Sequence, residues 1–338
     1  MELIFDGHND ILLRLWMAKD SSGQGYIEGM DTHIDAAKAK AGGLTGGFFA
    51  MFTPQQNATG EAILGTDPIT MAEAQSATDA MIGIFQSLCR EHPQIIRQCH
   101  NKEEIEAAMA AGIMAAVLHI EGAEAIAPDL SNLENYYRQG LRSIGPVWSR
   151  SNAFGHGVPF DFPGSPDQGT GLTQAGKNLI RACDEMGIMI DLSHLNEAGF
   201  WNVASLTSRP LIATHSNVHA LSPSPRNLTD QQLAAIAESG GLVGLNFASG
   251  FLREDGEKTA ATALDVMIRH LDYLLEHLGE DGVALGSDFD GAVIPEAIST
   301  AAGLPNLTAA MADAGYGKAL IAKICRQNWL DMIAKQIG

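Results

Sequence analysis

No run of 18 or more apolar residues occurs in the 338-residue chain, so nothing in it reads as a membrane-spanning helix. It opens MELIFDGHND, with neither a basic n-region nor an apolar h-region, and it closes on KQIG without a lipidation signal. Neither a secretory leader nor a lipid anchor is therefore expected. Cysteine is scarce: Cys89, Cys99, Cys183 and Cys325 form no CxxC pair and no regular framework. That excludes a disulfide scaffold and fits reduced thiols in the cytoplasm. Positive charge is also short, with 21 Lys and Arg against 40 Asp and Glu and a formal net charge of −19. A polyanionic partner such as nucleic acid is thereby disfavoured. No phosphate-binding GxxxxGK[ST] and no dinucleotide-binding GxGxxG follows any strand-like run, and internal repeats and low-complexity tracts are missing.

Forty-six per cent of the residues are hydrophobic, ample for a sizeable core. The organising stretch is Met189 to Asn217. Two apolar runs, Ile188 to Leu192 and Leu211 to Thr214, flank a segment of helical periodicity from Glu197 to Leu206, and His194 and His215 stand just past the two runs. This reads as strand, helix, strand with an imidazole at the C-terminal end of each strand. Further strand-like runs lie at Leu3 to Phe5, Gly47 to Phe52, Met114 to Ile120, Arg142 to Val147, Leu242 to Phe247 and Val283 to Gly286. Helical patterns separate them, and Thr229 with Gln232 three residues on has the form of a capping box. Eight strands alternating with helices predict an α/β fold, a (β/α)8 TIM-like barrel with extra helices, as a single domain over residues 1–338. A final helix is expected over Gly317 to Ile337, an extra helical pair between Asn57 and Asn101, and a loop rich in Gly, Pro and Phe over the barrel mouth from Ser149 to Gly171.

Placing polar residues on this strand map collects His8 and Asp10 after strand one, Glu121 after three, His194 after five, His215 after six and Asp288 after eight, all at one end of the barrel. Residues two apart on an extended segment share a side at about 6.6 Å, so His8 and Asp10 can grip one cation. His194 and His215 can grip a second, and Glu121 has two oxygens with which to bridge. Taken singly, a His-x-Asp is a hydrogen-bonded turn, a buried histidine is a satisfied core residue, and Asp288 in GSDFDG shapes a turn. Taken jointly, they point to a metal site. Imidazole and carboxylate without thiolate suit Zn²⁺, with Mn²⁺ or Co²⁺ as alternatives.

The segments DGHND at 6–10, HIEGAEAI at 119–126, IDLSH at 190–194, ATHSN at 213–217, PRNLTDQQL at 225–233, GGLVGLNF at 240–247, GSDFDG at 286–291 and NWL at 328–330 resemble the membrane dipeptidase (renal dipeptidase) family of zinc peptidases, nearly end to end and in the family's order. The resemblance implies a barrel of the amidohydrolase type holding two Zn²⁺, one on His8 and Asp10 and the other on His194 and His215, with Glu121 between. It implies Asp288 as acid/base, Arg226 as the cradle of the substrate's C-terminal carboxylate, and hydrolysis of dipeptides by a bridging hydroxide. Without the leader and anchor of the animal members, a soluble bacterial-type homologue is implied, with a homodimer as a possible assembly. Where the family commonly has a histidine in a Leu-Thr-His-Asn type segment, this chain reads PVWSRSN, with Trp148 in the substrate pocket; His156 on the adjoining loop is either a replacement donor or, as the favoured reading, an exposed loop histidine. His119 is expected in the barrel interior or behind the ligands, and His219 at the surface or a helix start. A second reading is another binuclear amidohydrolase acting on a non-dipeptide carboxylated amide. Asp10, where such relatives carry a second histidine, and Glu121, where they carry a carboxylated lysine, argue against it. A non-catalytic barrel is opposed by the complete ligand set.

Overall fold

The structure is a computed structural model that describes residues 1–56, 62–63 and 65–337. Eight parallel strands form the barrel: β1 (Ile4–Asn9), β2 (Leu44–Phe52), β3 (Met114–Glu121), β4 (Leu141–Gly145), β5 (Met189–Ile190), β6 (Ile212–Ser216), β7 (Leu242–Leu245) and β8 (Val283–Leu285). They are laid down as two arcs, β1 to β5 in one ladder and β6 to β8 in another. Each joint between the arcs is a single parallel bridge, Asp191 to Ile212 on one side and Asn9 to Phe289 on the other. A buried carboxylate reinforces each joint. Asp191 accepts from the Thr214 backbone N–H at 2.8 Å, and Asp6 accepts from the Ser287 backbone and hydroxyl, both at 2.7 Å. Short ladders are tolerable here because these side chains replace the missing backbone partners.

The eight strands of the sequence map are all present, with shifted ends. β1 runs on through His8 to Asn9, and β5 shrinks to two residues. Helices precede or follow them where expected, and the capping box at Thr229 forms with both reciprocal bonds. Two short helices, Ile11–Met17 and Gln24–Glu28, follow β1 where none was predicted, and Leu304–Asp313 is a further addition after β8. The expected helical pair begins outside the described residues; one long helix, Met71–Glu91, stands there, started by a second capping box at Thr70 and Glu73. The expected final helix runs from Lys318 to Gln336, with a π-turn at Lys323–Gln327 inside it. That turn delivers Trp329 into the N-terminal side of the barrel, where its ring lies 5.4 Å from Phe48 and 6.4 Å from Phe5 and its N–H donates to the Leu285 carbonyl at 2.8 Å. Glycine at position 7 makes this possible, since a Cβ there would stand 2.6 Å from the indole. The closed floor leaves the opposite, C-terminal end for chemistry.

Candidate metal centre at the C-terminal face of the barrel

Every sequence-predicted ligand lies at this end and is buried: His8, Asp10, Glu121, His194 and His215. The three imidazoles converge on one carboxylate oxygen. Glu121 Oε1 is 2.8 Å from His194 Nε2, 3.3 Å from His215 Nε2 and 3.5 Å from His8 Nε2. His8 Nε2 is also 3.5 Å from Asp10 Oδ2. Among the described residues, two sets of donor atoms fall within 4.8 Å of one another, His8–Glu121–His215 and His8–Asp10–Asp288, so His8 and Asp288 belong to the same cavity.

The donor set fits cations. Among the described residues, both ring nitrogens of His8 and Oδ1 of Asp10 are buried with no hydrogen-bond partner, a costly arrangement for polar groups unless something else satisfies them. The electrostatics agree. Burial drives Glu121 well above the usual carboxylate range, and it raises Asp288. Burial pulls His8 down, but the charges of Glu121 and Asp10 outweigh it and push the ring up to about 10. Burial, with Arg226 and His8 adding to it, depresses His194 and His215 well below the ordinary imidazole value. His194 and His215 are thus neutral, as metal ligands must be, while the negative charge of Glu121 and Asp10, which holds a proton on His8, is what a divalent ion would take over.

Asp288 sits at φ 58° and Asp290 at φ 72°, both in the left-handed region. The turn is pinned from outside, because Asp290 Oδ1 accepts from the His33 backbone N–H at 2.6 Å and His33 Nδ1 accepts from the Asp290 N–H at 2.9 Å. Asp288 Oδ2 accepts from the Asn246 side chain at 2.9 Å. Asn246 follows the last residue of β7 and escaped the sequence reading, although it obeys the same strand-end rule as the others. Gly291 escaped as well. A Cβ on it would run into Asp10 Oδ2 and Asp288 Oδ1, and nothing in the sequence distinguishes it from an ordinary turn glycine.

Arg226 is buried beside these groups. Its Nη1 donates to the Ser193 carbonyl, its Nη2 donates to the His215 carbonyl at 3.2 Å, and its Nε has no partner among the described residues. Phe251 covers the guanidinium at 5.3 Å. Trp148 packs 5.9 Å from the His194 ring, and its successor Ser149 places Oγ 2.9 Å from His194 Nδ1, a contact not foreseen. An aromatic run crosses the mouth from Phe52 to Trp148 (4.7 Å), Phe160 (5.3 Å) and Phe251 (6.2 Å), joining the imidazole side of the cavity to Arg226. The loop 149–171 lies over the face as expected, with Val158 N–H donating to the His194 carbonyl at 2.9 Å. His156 is on this loop but turns to Thr170, 3.3 Å from Nδ1 to Oγ1; its described contacts do not reach the carboxylates or imidazoles of the cluster. His119 lies in the barrel interior, 2.9 Å from the Ser143 hydroxyl. His219 is half-buried and holds the mouth loop through the Gly164 carbonyl at 2.8 Å, so it is more than a surface residue.

A closed parallel barrel with imidazoles and carboxylates gathered at its C-terminal strand ends is the arrangement of a metal-dependent hydrolase. Within that class the chain belongs to the family described as Membrane dipeptidase (Peptidase family M19), which it matches over residues 2–337. A crystal structure of a metallo peptidase from Rhodobacter sphaeroides, liganded with a phosphinate mimic of the dipeptide L-Ala-D-Ala, is 46% identical, with a TM-score of 0.95 over 99% of each chain. The structure of an M19 metallo peptidase named dipeptidase AC is 47% identical, with a TM-score of 0.95 over 100% of this chain and 99% of that one. An uncharacterised Klebsiella pneumoniae protein of the pqqA 5′ region is 45% identical over 267 residues, 79% of this chain and 96% of its own. No described helix is long and apolar enough to cross a membrane.

Proposed function

We propose that the chain is one catalytic domain that hydrolyses dipeptides with a free C-terminal carboxylate at a pair of Zn²⁺ ions, one held by His8 and Asp10, the other by His194 and His215, with Glu121 shared. The observation that carries this reading is the convergence of three imidazole nitrogens on Glu121 Oε1, with the buried, unpartnered atoms of His8 and Asp10 alongside. When bound, such ions supply a water acidified toward neutrality and a Lewis acid for the scissile carbonyl. The rest is the work of this chain. Asp288, raised by burial and held by Asn246, takes up a proton and returns it to the leaving amine, which cannot depart as an anion. Arg226 offers its free Nε–H, and its charge, to the substrate carboxylate. The aromatic run from Trp148 to Phe251 excludes water along the path between them. With His156 turned to Thr170, we assign the pocket wall to Trp148 and leave His156 to the fold of the mouth loop.

The test is a panel of L,L and L,D dipeptides offered to protein reconstituted with Zn²⁺, beside N-acyl amino acids and other carboxylated amides. Hydrolysis of dipeptides, lost in His194→Ala together with bound zinc, is the expected result. Turnover of the amides with no dipeptide cleaved would move the assignment to another amidohydrolase reaction.

A further inference from the structure

His215 is set apart from the other imidazoles by what stands behind it. Its Nδ1 is 2.8 Å from Thr214 Oγ1, and Thr214 Oγ1 is 2.6 Å from Asp191 Oδ2. The other oxygen of Asp191, Oδ1, accepts from the Thr214 N–H at 2.8 Å, the Ser193 hydroxyl at 2.6 Å and the Ser193 N–H at 3.1 Å. Four donors surround one buried carboxylate, which can only accept when ionised. The hydroxyl protons of Thr214 and Ser193 are thus both committed to Asp191, and neither is free for the imidazole. Thr214 Oγ1 can meet His215 only as an acceptor, so the ring proton must lie on Nδ1 and the lone pair on Nε2, the atom facing Glu121 at 3.3 Å. Among the described residues His194 lacks such a chain, because its Nδ1 faces Ser149 Oγ, and no further partner there fixes the hydroxyl proton.

We infer that Thr214 is a positioning residue that links Asp191 to His215, locks His215 in the Nδ1–H tautomer and so prepares Nε2 to bind a divalent cation. The link replaces the direct carboxylate–imidazole bond common behind metal-bound histidines with a carboxylate–hydroxyl–imidazole chain. It also serves the joint between β5 and β6, which places the tautomer of one ligand under the control of barrel closure. The inference rests on the metal site proposed above, but not on the identity of the substrate.

Metal-free protein is titrated with Zn²⁺, and separately with Co²⁺, against a chromophoric chelator, for wild type, Thr214→Val and Thr214→Ser. Valine keeps the branched shape and removes the acceptor, and it should weaken one of two metal equivalents by 10- to 100-fold, with an altered Co²⁺ visible spectrum. Serine, which retains the hydroxyl, should restore both. Unweakened binding in Thr214→Val, or loss in Thr214→Ser equal to that in Thr214→Val, would overturn the link. Should the valine variant not fold, ¹⁵N-histidine NMR of the wild type, with the His215 signals identified by their absence in His215→Gln, decides the matter, since an Nε2–H tautomer would refute it. Wild-type protein that takes up no metal would instead remove the proposed function and this inference together, whereas metal uptake without dipeptide cleavage would remove the function alone.

Discussion

Asp288 and Gly291 show how closely single positions are fitted to the site. Asp288→Asn keeps the size of the side chain and removes the proton acceptor. The variant should retain its bound metal by elemental analysis while kcat falls on the order of 10²-fold or more, the scale of a positioned acid/base. Wild-type turnover in that variant would remove Asp288 from the reaction. Gly291→Ala should act in the opposite way, lowering metal content before chemistry is tested, because the added methyl would displace both Asp10 and Asp288. A fully loaded alanine variant would show that the turn has room to give. The contrast also explains what was legible in the chain. His8, Asp10, Glu121, His194 and His215 could be read because each is a metal-binding type placed after a strand. Gly291 and Ser149 could not, since their contribution is a clearance in one case and a hydroxyl on an irregular segment in the other, and neither leaves a periodic or compositional mark.

Elements were legible to the extent that their hydrophobic spacing decides them. The eight strands and most helices followed from pattern, whereas Ile11–Met17, ILLRLWM, is apolar almost throughout and so shows no helical period, and Leu304–Asp313 escaped the sequence reading although its buried Leu304, Leu307 and Met311 have helical spacing. The π-turn at Lys323–Gln327 has no sequence sign; it directly precedes the segment that carries Trp329 to the barrel floor. How the outer helices are tied to the mouth is seen at His270, on the helix Leu264–Leu278. Its Nδ1 accepts from the Val218 N–H at 3.2 Å, which leaves Nε2–H to donate to the Leu252 carbonyl at 2.9 Å, so the ring is held neutral. Burial pulls its pKa down to about 4, against a partial offset from Leu252. The unfolded chain, with an ordinary value near 6.5, takes up this proton first. Stability from the neutral ring is therefore complete above about pH 6.5 and is lost as pH falls toward 4. His270→Gln cannot titrate. The gap in unfolding free energy between wild type and variant should shrink by on the order of 2 kcal/mol between pH 7 and 4.5, as measured by urea denaturation at each pH. A constant gap would mean that His270 is not held neutral.

At the scale of the molecule, one end of the barrel is filled and the other is reserved. Trp329 bears on the filled end: Trp329→Ala should cost about 3–5 kcal/mol in chemical denaturation, with the metal ligands untouched because they stand at the opposite face. A cost under 1 kcal/mol would show that the floor can collapse around the gap. The two-arc construction carries a different consequence. His8, Asp10, Glu121 and His194 come from the arc β1 to β5, while His215 and Asp288 belong to the arc β6 to β8. A slip of one residue at either joint turns inward side chains outward, and it would move His215 or Asp288 out of reach of their partners. The cavity thus works as a gauge of alignment, since a barrel closed out of step could not gather both sets of donors. Ion capture in this architecture is a form of proofreading, a reward in binding free energy that only the correctly closed chain can collect.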